Sequence, residues 1–528
     1  MHDVHMIVRG GFLVPDFETE AIPGGAVALS GPLVAEVGRY RDLRRKYPAA
    51  EELGGDRFLV IPGLINGHSH GRGLTSFQRG TRDDTLETWI WGTRKQKPIP
   101  VFEDVAFSAA RLLRSGVTMT MHNHTVMDPL QYEAELEDAV RAYAWSGMRV
   151  LFCPSIRNDN LLVYGNEREF TAGLPGRLRD HLSVSSSEGG FSDKIYIDTV
   201  RQLHETHHGP MCRVGFGPLA PQWCTETLLR DIKREAEALK TPIHIHTLET
   251  ALQKIYALKF LGKTLIEHLN GIGLLGPGTT LGHGVWASES DVRLLARTGT
   301  GVTHQPSSNL RLRAGVSPVA EMLGEGVCVG LGTDGMTIND NDDLIQEMKV
   351  CSLLQRLSSL DLDSPFPTSR EIFKMATVNN AALVGCENEL GRLKPGFLGD
   401  LVLLDYERMS YPYVDPKHDP IEVLLCRGVG EHVDTVVVHG KVVVESGDLL
   451  TVNEKAIAEH LVESASRPME KDEQVNAGMV DEMRGHVRAY YRSWLDDVEL
   501  EPYWHVHSRI DGLKRSPPGA DRSTGQGC

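Results

Sequence analysis

Hydrophobic and polar positions in the middle of the chain alternate between short apolar runs and amphipathic stretches. The apolar runs have the length of buried strands, and they end near eight positions: Ile61, Met121, Cys153, Gly217, His246, His283, His304 and Asp334. Amphipathic stretches of helical spacing lie between most of these runs, in residues 104–114, 133–145, 198–207, 226–239, 288–297 and 318–323. Eight strands that alternate with helices predict an α/β fold, a (β/α)8 TIM barrel over residues 61–386.

Both ends of the chain have a different pattern, in which short β-rich segments are separated by Gly and Pro. Such segments occupy residues 6–8, 25–29, 33–37, 400–404 and 433–444. We therefore predict one small β-sandwich domain that is built from residues 1–60 and 387–450. A helical C-terminal extension is expected for residues 451–513. A disordered tail is expected for residues 514–528, because this stretch is rich in Pro, Gly and Ser.

Residues 158–191 interrupt the alternation of strands and helices with a polar, Gly-rich stretch. The stretch is long for a connection between a strand and a helix. We interpret it as a loop or lid over the mouth of the barrel, with a disordered surface segment as an equal alternative.

Composition and net charge limit the kinds of molecule that the protein is expected to bind. Hydrophobic residues make up 41% of the 528 positions and charged residues 24%, as in ordinary globular proteins. The net charge of -16 argues against nucleic acid or an anionic membrane as the main partner. No two cysteines have C-x-x-C spacing. The pattern of residues also predicts neither a secretory leader nor a segment that spans a bilayer. We expect a reduced, cytoplasmic protein that acts on a small molecule.

Histidines and one carboxylate lie at the predicted C-terminal ends of the barrel strands. His68 and His70 follow the first apolar run, and their spacing puts both side chains on one face of an extended backbone. His246 ends a later strand, and Asp334 closes the last one. Because these ends meet at one face of a barrel, we predict that the four side chains bind one divalent metal and leave a position open for water. Zinc is the default, with iron and cobalt as alternatives.

Three residues near this metal are expected to work on protons and charge. Asp334 can take a proton from water, and Glu249, three residues after His246, can pass one to the departing group. His283, at the next strand end, can hydrogen-bond the attacking water or the developing charge. The metal would lower the pKa of its water to about 7, which makes hydroxide available.

The motifs around these residues resemble the amidohydrolase superfamily, in the branch of triazine hydrolases, cytosine and guanine deaminases and S-adenosylhomocysteine deaminase. The motifs that carry the resemblance include PGLINGHSH at 62–70, HIHTLE at 244–249, GHGVW at 282–286 and GTDG at 332–335. The resemblance extends from about residue 6 to residue 450. It implies metal ligation by His68, His70, His246 and Asp334, a proton shuttle at Glu249 and a polarising role for His283. By family habit, it also implies a homo-oligomer.

The chain departs from the usual family pattern in two places that bear on the substrate. Gln305 stands where a cysteine is common, and residues 122–124 read His-Asn-His at the end of the second strand. We hypothesise that four residues face the substrate, with ordinary loop hydrogen bonding or solvated charge as an equal alternative. These residues are His122, His124, Asn309 and Arg311.

The predicted function is a metal-dependent hydrolase of C–N bonds other than peptide bonds. The reaction would be hydrolytic deamination, or a dechlorination-type substitution, on a nitrogen heterocycle. One alternative keeps the site and changes the bond, to that of an amide, urea or carbamate of a small molecule. An alternative of another class is a catalytically silent scaffold, which would be favoured by loss of the metal ligands, yet every expected ligand is present.

Overall fold

A computed structural model describes residues 3–126, 128–186, 192–356, 363–495 and 498 of the chain. The strands are β1 Met6–Leu13, β2 Ile22–Pro23, β3 Gly25–Ser30, β4 Leu33–Arg39, β5 Glu51–Pro62, β6 Leu64–Ser69, β7 Val117–His124, β8 Arg149–Ile156, β9 Cys212–Val214, β10 Gly217–Pro218, β11 Ile243–Thr247, β12 Thr279–His283, β13 Gly301–His304, β14 Val329–Leu331, β15 Leu401–Asp405, β16 Val433–Val438, β17 Lys441–Glu445 and β18 Asp448–Leu449.

Helices connect most of these strands and extend beyond the last one. They are α1 Tyr40–Lys46, α2 Leu86–Thr93, α3 Val101–Arg114, α4 Tyr132–Ser146, α5 Glu167–Ala172, α6 Gly176–Ser186, α7 Asp193–His207, α8 Glu226–Leu239, α9 Ala251–Tyr256, α10 Leu265–Gly271, α11 Glu289–Thr298, α12 Pro306–Arg311, α13 Val319–Gly324, α14 Leu344–Leu354, α15 Ser369–Lys374, α16 Asn380–Leu383, α17 Tyr406–Ser410, α18 Pro420–Arg427, α19 Glu454–Ser466 and α20 Lys471–Leu495.

Strands β6–β14 form two parallel sheets, and each edge of one sheet is bridged to an edge of the other. One sheet has the order β10-β8-β7-β6, with β9 also paired to β8, and the other has the order β11-β12-β13-β14. Parallel bridges join Phe216 to Ile243 and Ser69 to Asp334. The result is a curled parallel sheet with helices between its strands, which confirms the α/β class and the TIM-barrel type of architecture.

The remaining strands, from both parts of the chain, form one nine-stranded sheet. Its order is β18-β17-β16-β15-β5-β1-β3-β4, with β2 paired to β1. Side chains of β5 alternate between two cores, because successive residues of a strand point to opposite faces. Phe58 and Val60 pack in the sheet's own core, whereas Leu59 and Ile61 join the large core of the barrel and its helices.

The first barrel strand is not the one that the sequence predicts. The apolar run that ends at Ile61 belongs to β5, which pairs with β1 and β15 in the nine-stranded sheet. The barrel begins only after Gly63, with β6, which pairs in parallel with β7. The prediction was wrong because Pro62 and Gly63 look like the end of one strand, whereas the chain crosses there from one sheet to another.

Part of the predicted loop over residues 158–191 is helical. Helices α5 and α6 lie in it, and the Asn166 side chain caps the first of them by accepting a hydrogen bond from the backbone N–H of Glu169. The predicted helical extension contains α19 and α20, whereas the predicted tail 514–528 lies outside the described residues. Within the described ranges, no helix is both long and apolar enough to cross a membrane.

Candidate active site

The strand ends of the barrel bring the predicted metal ligands to one point. His68 lies in β6, His246 in β11, and Asp334 follows β14. The Nε2 atoms of His70 and His246 are 3.4 Å apart. Oδ1 of Asp334 is 3.1 Å from Nε2 of His70 and 3.5 Å from Nε2 of His68. Donor atoms at such distances can contact a single ion.

Backbone carbonyl groups orient two of these imidazoles. Nδ1 of His70 donates to the carbonyl of Asn123 over 2.9 Å, and Nδ1 of His246 donates to the carbonyl of Leu219 over 2.7 Å. With the proton held on Nδ1, the Nε2 atom of each ring presents a lone pair to the centre. This is the usual outer hydrogen bond of a metal-binding histidine.

The donor set fits a divalent cation. His68 is fully buried, and neither of its ring nitrogens has a hydrogen-bond partner within the described residues. A buried polar atom without a partner costs about 1–3 kcal/mol, and a bound cation would offset that cost. Two groups of possible ligand atoms each lie within 4.8 Å of one another: His68, His246 and His283, and His68, His70 and Asp334.

The buried carboxyl groups have opposite protonation preferences. Burial, together with the charges of Asp334 and Glu87, raises the pKa of Glu249 well above its usual range. Although burial acts against ionisation of Asp334 as well, the neighbouring imidazoles of His68 and His70 hold the pKa of that carboxyl well below its usual range. Oδ2 of Asp334 also accepts a 2.7 Å hydrogen bond from the Ser308 hydroxyl. The site therefore pairs a neutral acid with an ionised carboxylate.

His283 stands between this acid and the histidine cluster. Its Nε2 atom is 3.7 Å from Oε2 of Glu249. Burial lowers the pKa of His283 to about 4, so the ring is neutral near pH 7. The backbone at His283 and at Asp334 has positive φ angles of 75° and 57°. Such angles are costly for these residue types and are concentrated at functional sites.

The four predicted substrate-facing residues have different surroundings, and their role stays a prediction. His122 and His124 are buried beside each other, with 3.2 Å between Nε2 of the first and Nδ1 of the second. Tyr143 lies with its hydroxyl 3.1 Å from Nδ1 of His122. Asn309 contacts His283, whereas the guanidinium of Arg311 forms ion pairs with the carboxylates of Asp83 and Asp340.

Two further residues contact the site, and no spacing of residues in the sequence indicates that they do. Ser308 precedes Asn309 in the sequence, but its bond to Asp334 depends on how β13 and β14 lie together. Asn66 joins β6 to the segment after β14, because its side-chain amide donates to the Thr333 hydroxyl over 2.8 Å and accepts from the Thr333 N–H over 3.0 Å. Both contacts cross more than twenty residues of sequence, so local reading of the sequence missed them.

The fold and the site together define a barrel protein with a histidine-rich centre that suits a divalent cation. A model of the amidohydrolase family matches residues 59–443. The chain belongs to this family, and it is a hydrolase of C–N bonds.

Relatives with assigned names cover most of the chain. It is 30% identical over 487 residues to 5-methylthioadenosine/S-adenosylhomocysteine deaminase 1 of Syntrophus aciditrophicus, an alignment that covers 89% of this chain and 100% of the relative. It is 32% identical over 418 residues to the 5'-deoxyadenosine deaminase of Methanothermobacter thermautotrophicus, which covers 77% of this chain and 87% of the relative. The predicted enzyme class, a hydrolase of C–N bonds, is therefore confirmed, and the alternative of a catalytically silent scaffold is not supported.

Solved structures share the fold. An adenosine deaminase from Xanthomonas campestris with bound zinc has a TM-score of 0.73 and 22% identity, with 92% of this chain and 99% of that chain covered. Atrazine chlorohydrolase from Arthrobacter aurescens complexed with zinc also has a TM-score of 0.73, with 21% identity and coverage of 87% and 100%. At these identities, the likeness shows the fold alone.

Proposed function

We propose that the protein removes an amino group from a nitrogen heterocycle by hydrolysis and releases ammonia. The observation that carries the proposal is the meeting of ionised Asp334 and neutral Glu249 at one histidine cluster. Deamination needs both a group that takes a proton from water and a group that gives one to the departing nitrogen. Adenosine derivatives are the first substrates to test, because the deaminase relatives are named for substrates of this kind.

One divalent metal, with zinc as the first candidate, would be held by His68, His70, His246 and Asp334. A cation bound there would lower the pKa of a water molecule to about 7. The carbonyl bonds to Nδ1 of His70 and His246 support this ligand set, because they leave each Nε2 free to bind. Bound zinc in a fold neighbour makes this metal the natural starting choice.

The proton steps are assigned to the chain's own carboxyl groups. Asp334 is ionised and accepts the proton of the attacking water. Glu249 carries a proton at neutral pH and donates it to the leaving nitrogen. His283 lies within 3.7 Å of Glu249 and orients the reacting groups between them. Environments that push two carboxyl pKa values apart commonly mark the acid and the base of one reaction.

A small cavity beside the site has walls suited to a flat ring. Trp91, Tyr164 and Trp223 line it together with Glu87, whose carboxylate accepts a 2.5 Å hydrogen bond from the hydroxyl of Thr250. Thr250 directly follows Glu249, which places the cavity next to the acid. Its volume of about 20 Å³ is room for a water molecule only, so these walls must separate to admit a heterocycle.

We further propose the division of the chain predicted above, in which residues 1–60 and 387–450 form a β-sandwich domain beside the barrel. The mixed origin of the nine-stranded sheet and its separate core support this division. The homo-oligomer and the cytoplasmic location stay predictions.

The test measures products from zinc-reconstituted protein on a panel of adenosine derivatives, other aminoheterocycles, and amides, ureas and carbamates. We expect ammonia from the heterocycles. Release of an alkylamine or aniline from the second group, without ammonia from the first, would replace deamination with the alternative hydrolysis.

Glu249→Gln separates chemistry from metal binding. The variant keeps the volume of the side chain but cannot deliver a carboxyl proton, so we expect zinc content to be unchanged and kcat to fall about 10²–10⁴-fold. Glu235→Gln is the matched control, since Glu235 is equally buried but lies on α8 and pairs with Arg201. Wild-type turnover by Glu249→Gln on every active substrate would refute the role of this acid.

A further inference from the structure

The side-chain amide of Asn309 lies between two histidine rings from neighbouring strands. Its Oδ1 atom is 2.8 Å from Nδ1 of His283, which ends β12. Its Nδ2 atom is 3.4 Å from Nδ1 of His304, which ends β13. All three side chains are buried. The amide therefore links the histidine next to Glu249 to a second histidine that the proposed proton steps do not use.

We infer that Asn309 is a positioning residue that keeps the proton of neutral His283 on Nδ1. An amide oxygen can only accept, so the ring nitrogen that it contacts must carry the hydrogen. The Nε2 atom of His283 is then a lone-pair acceptor that faces Glu249 and the ligand cluster. The Nδ2 group donates in the same way to the lone pair of His304.

The surroundings hold both partners of this contact in place. The backbone N–H of Asn309 donates to the carbonyl of Gln305, and its own carbonyl accepts from the N–H of Ala314 over 2.7 Å. The Gln305 side chain accepts from the backbone N–H of His283 over 3.0 Å. The ring and the amide thus have little freedom to turn away from each other.

The contact between Asn309 and His283 selects the tautomer of the ring and does not change its net charge. Burial lowers the pKa of His283 to about 4 and that of His304 to about 3, so both rings are neutral near pH 7. A neutral imidazole still has two tautomers, and the hydrogen bond at one nitrogen decides which nitrogen is free. Nε2 of His283 has no hydrogen-bond partner among the described residues, so the hydrogen bond at Nδ1 decides the tautomer.

The tautomer defines the part that His283 can play. With the proton on Nδ1, its Nε2 atom can accept a hydrogen bond from protonated Glu249 or from water, but it cannot donate one to a developing negative charge. The ring would then align the acid rather than polarise the substrate. This consequence for turnover rests on the proposed function, whereas the tautomer itself does not.

The direct test is ¹⁵N NMR of the histidine rings in the full chain, in chelator-treated and zinc-loaded protein. A His283→Asn variant identifies the signals of that ring by their loss. We expect wild-type His283 to be protonated at Nδ1 in both states. Asn309→Leu removes the acceptor at similar volume, and we expect it to move His283 toward the Nε2–H form.

A second variant keeps the proposal testable if Asn309→Leu folds poorly. Asn309→Asp retains an acceptor for Nδ1–H and should retain the wild-type tautomer. Loss of an orienting hydrogen bond commonly costs about 10–100-fold, so we expect that fall in kcat for Asn309→Leu, little change in KM, and recovery in Asn309→Asp. Asn379→Leu removes a buried amide that donates to the carbonyl of Val329, away from His283, and should leave the His283 signals unchanged.

Either of two results overturns the inference: a proton on Nε2 of His283 in the wild type, or an unchanged tautomer in folded Asn309→Leu. If no substrate of the panel is turned over by wild-type protein, the proposed function fails, while the NMR result still decides the role of Asn309.

Discussion

At the scale of single residues, the carboxyl groups of this barrel differ because their immediate partners differ. Two imidazoles and the hydroxyl of Ser308 surround Asp334, and they favour its ionised form. Glu249 has the charge of Asp334 and a neutral ring for neighbours, so burial prevails and favours its protonated form. One type of functional group thereby serves as both base and acid in the proposed reaction.

Glu347 shows the same burial effect outside the site and makes stability depend on pH. Burial raises its pKa from 4.5 to about 8, even though the N–H and hydroxyl of Ser307 donate to it. Between about pH 4.5 and 8, the unfolded chain has released a proton that the folded protein still holds, so the wild type loses stability as the pH rises. We expect Glu347→Gln to remove this loss, which amounts to roughly 3–5 kcal/mol by pH 8.

The measurement is urea unfolding of wild type and Glu347→Gln at pH 5 and pH 8. The advantage of the variant should grow between the two conditions. An exposed carboxyl supplies the control, and Glu325→Gln should show equal small effects at both pH values. An advantage for Glu347→Gln that is the same at pH 5 and pH 8 would show that this carboxyl ionises normally.

At the scale of elements, helix α20 ties together two segments that border the small cavity. The hydroxyl of Tyr491 accepts a 2.8 Å hydrogen bond from the backbone N–H of Tyr164, and the hydroxyl of Tyr490 donates to the Tyr164 carbonyl over 3.0 Å. The guanidinium groups of Arg484 and Arg488 pair with Asp84, just before α2. A helix beyond the matched family region thus supports a wall of the proposed pocket.

Tyr491→Phe tests this support. The change leaves the ring in place but removes the acceptor of a buried N–H, which should cost about 1–3 kcal/mol. We expect a lower urea midpoint and faster hydrogen exchange in residues 160–166. Tyr413→Phe is the control, because Tyr413 is 72% exposed, and it should change neither quantity. Unaltered exchange in Tyr491→Phe would mean that other contacts hold the segment.

At the scale of the whole molecule, closure of the barrel between β14 and β6 is what assembles the site. The backbone N–H of Asp334 donates to the carbonyl of His68 over 2.9 Å, so one contact joins two proposed ligands from opposite ends of the barrel sequence. Gly332 permits this approach, because a Cβ atom there would lie 2.8 Å from backbone and side-chain atoms of His68.

Gly332→Ala should therefore disturb stability and metal binding together. Overpacking of this kind costs about 1–3 kcal/mol, and displacement of β14 would move Asp334 away from the histidines. We expect a lower thermal midpoint and weaker zinc retention against a chelator. Gly324→Ala places a methyl group where no atom outside its own stretch of helix α13 lies within 4 Å, and it should keep zinc as the wild type does. If folded Gly332→Ala retained zinc as well as the wild type does, the close approach of β14 to β6 would not be needed to hold Asp334 near the histidines.

Local pattern was enough to predict the barrel type and the members of the candidate centre. Each barrel strand is a short apolar run, and a polar residue at its end reaches the same face as the ends of the other strands. His246, His283 and Asp334 could therefore be selected without knowing their neighbours. The same reasoning failed for the run that ends at Ile61, because strand length and burial do not tell which sheet a strand joins.

The sequence by itself thus determined which apolar runs after Gly63 become barrel strands and which of them have a histidine or an aspartate at or near the end, since both are properties of neighbouring residues. Only the tertiary structure decided how those side chains are oriented and protonated. The carbonyl groups of Asn123 and Leu219 select the free nitrogens of two rings, and Asn309 meets His283 across 26 residues of sequence. Tautomers and pKa values follow from such contacts, which form when distant segments pack and exclude water.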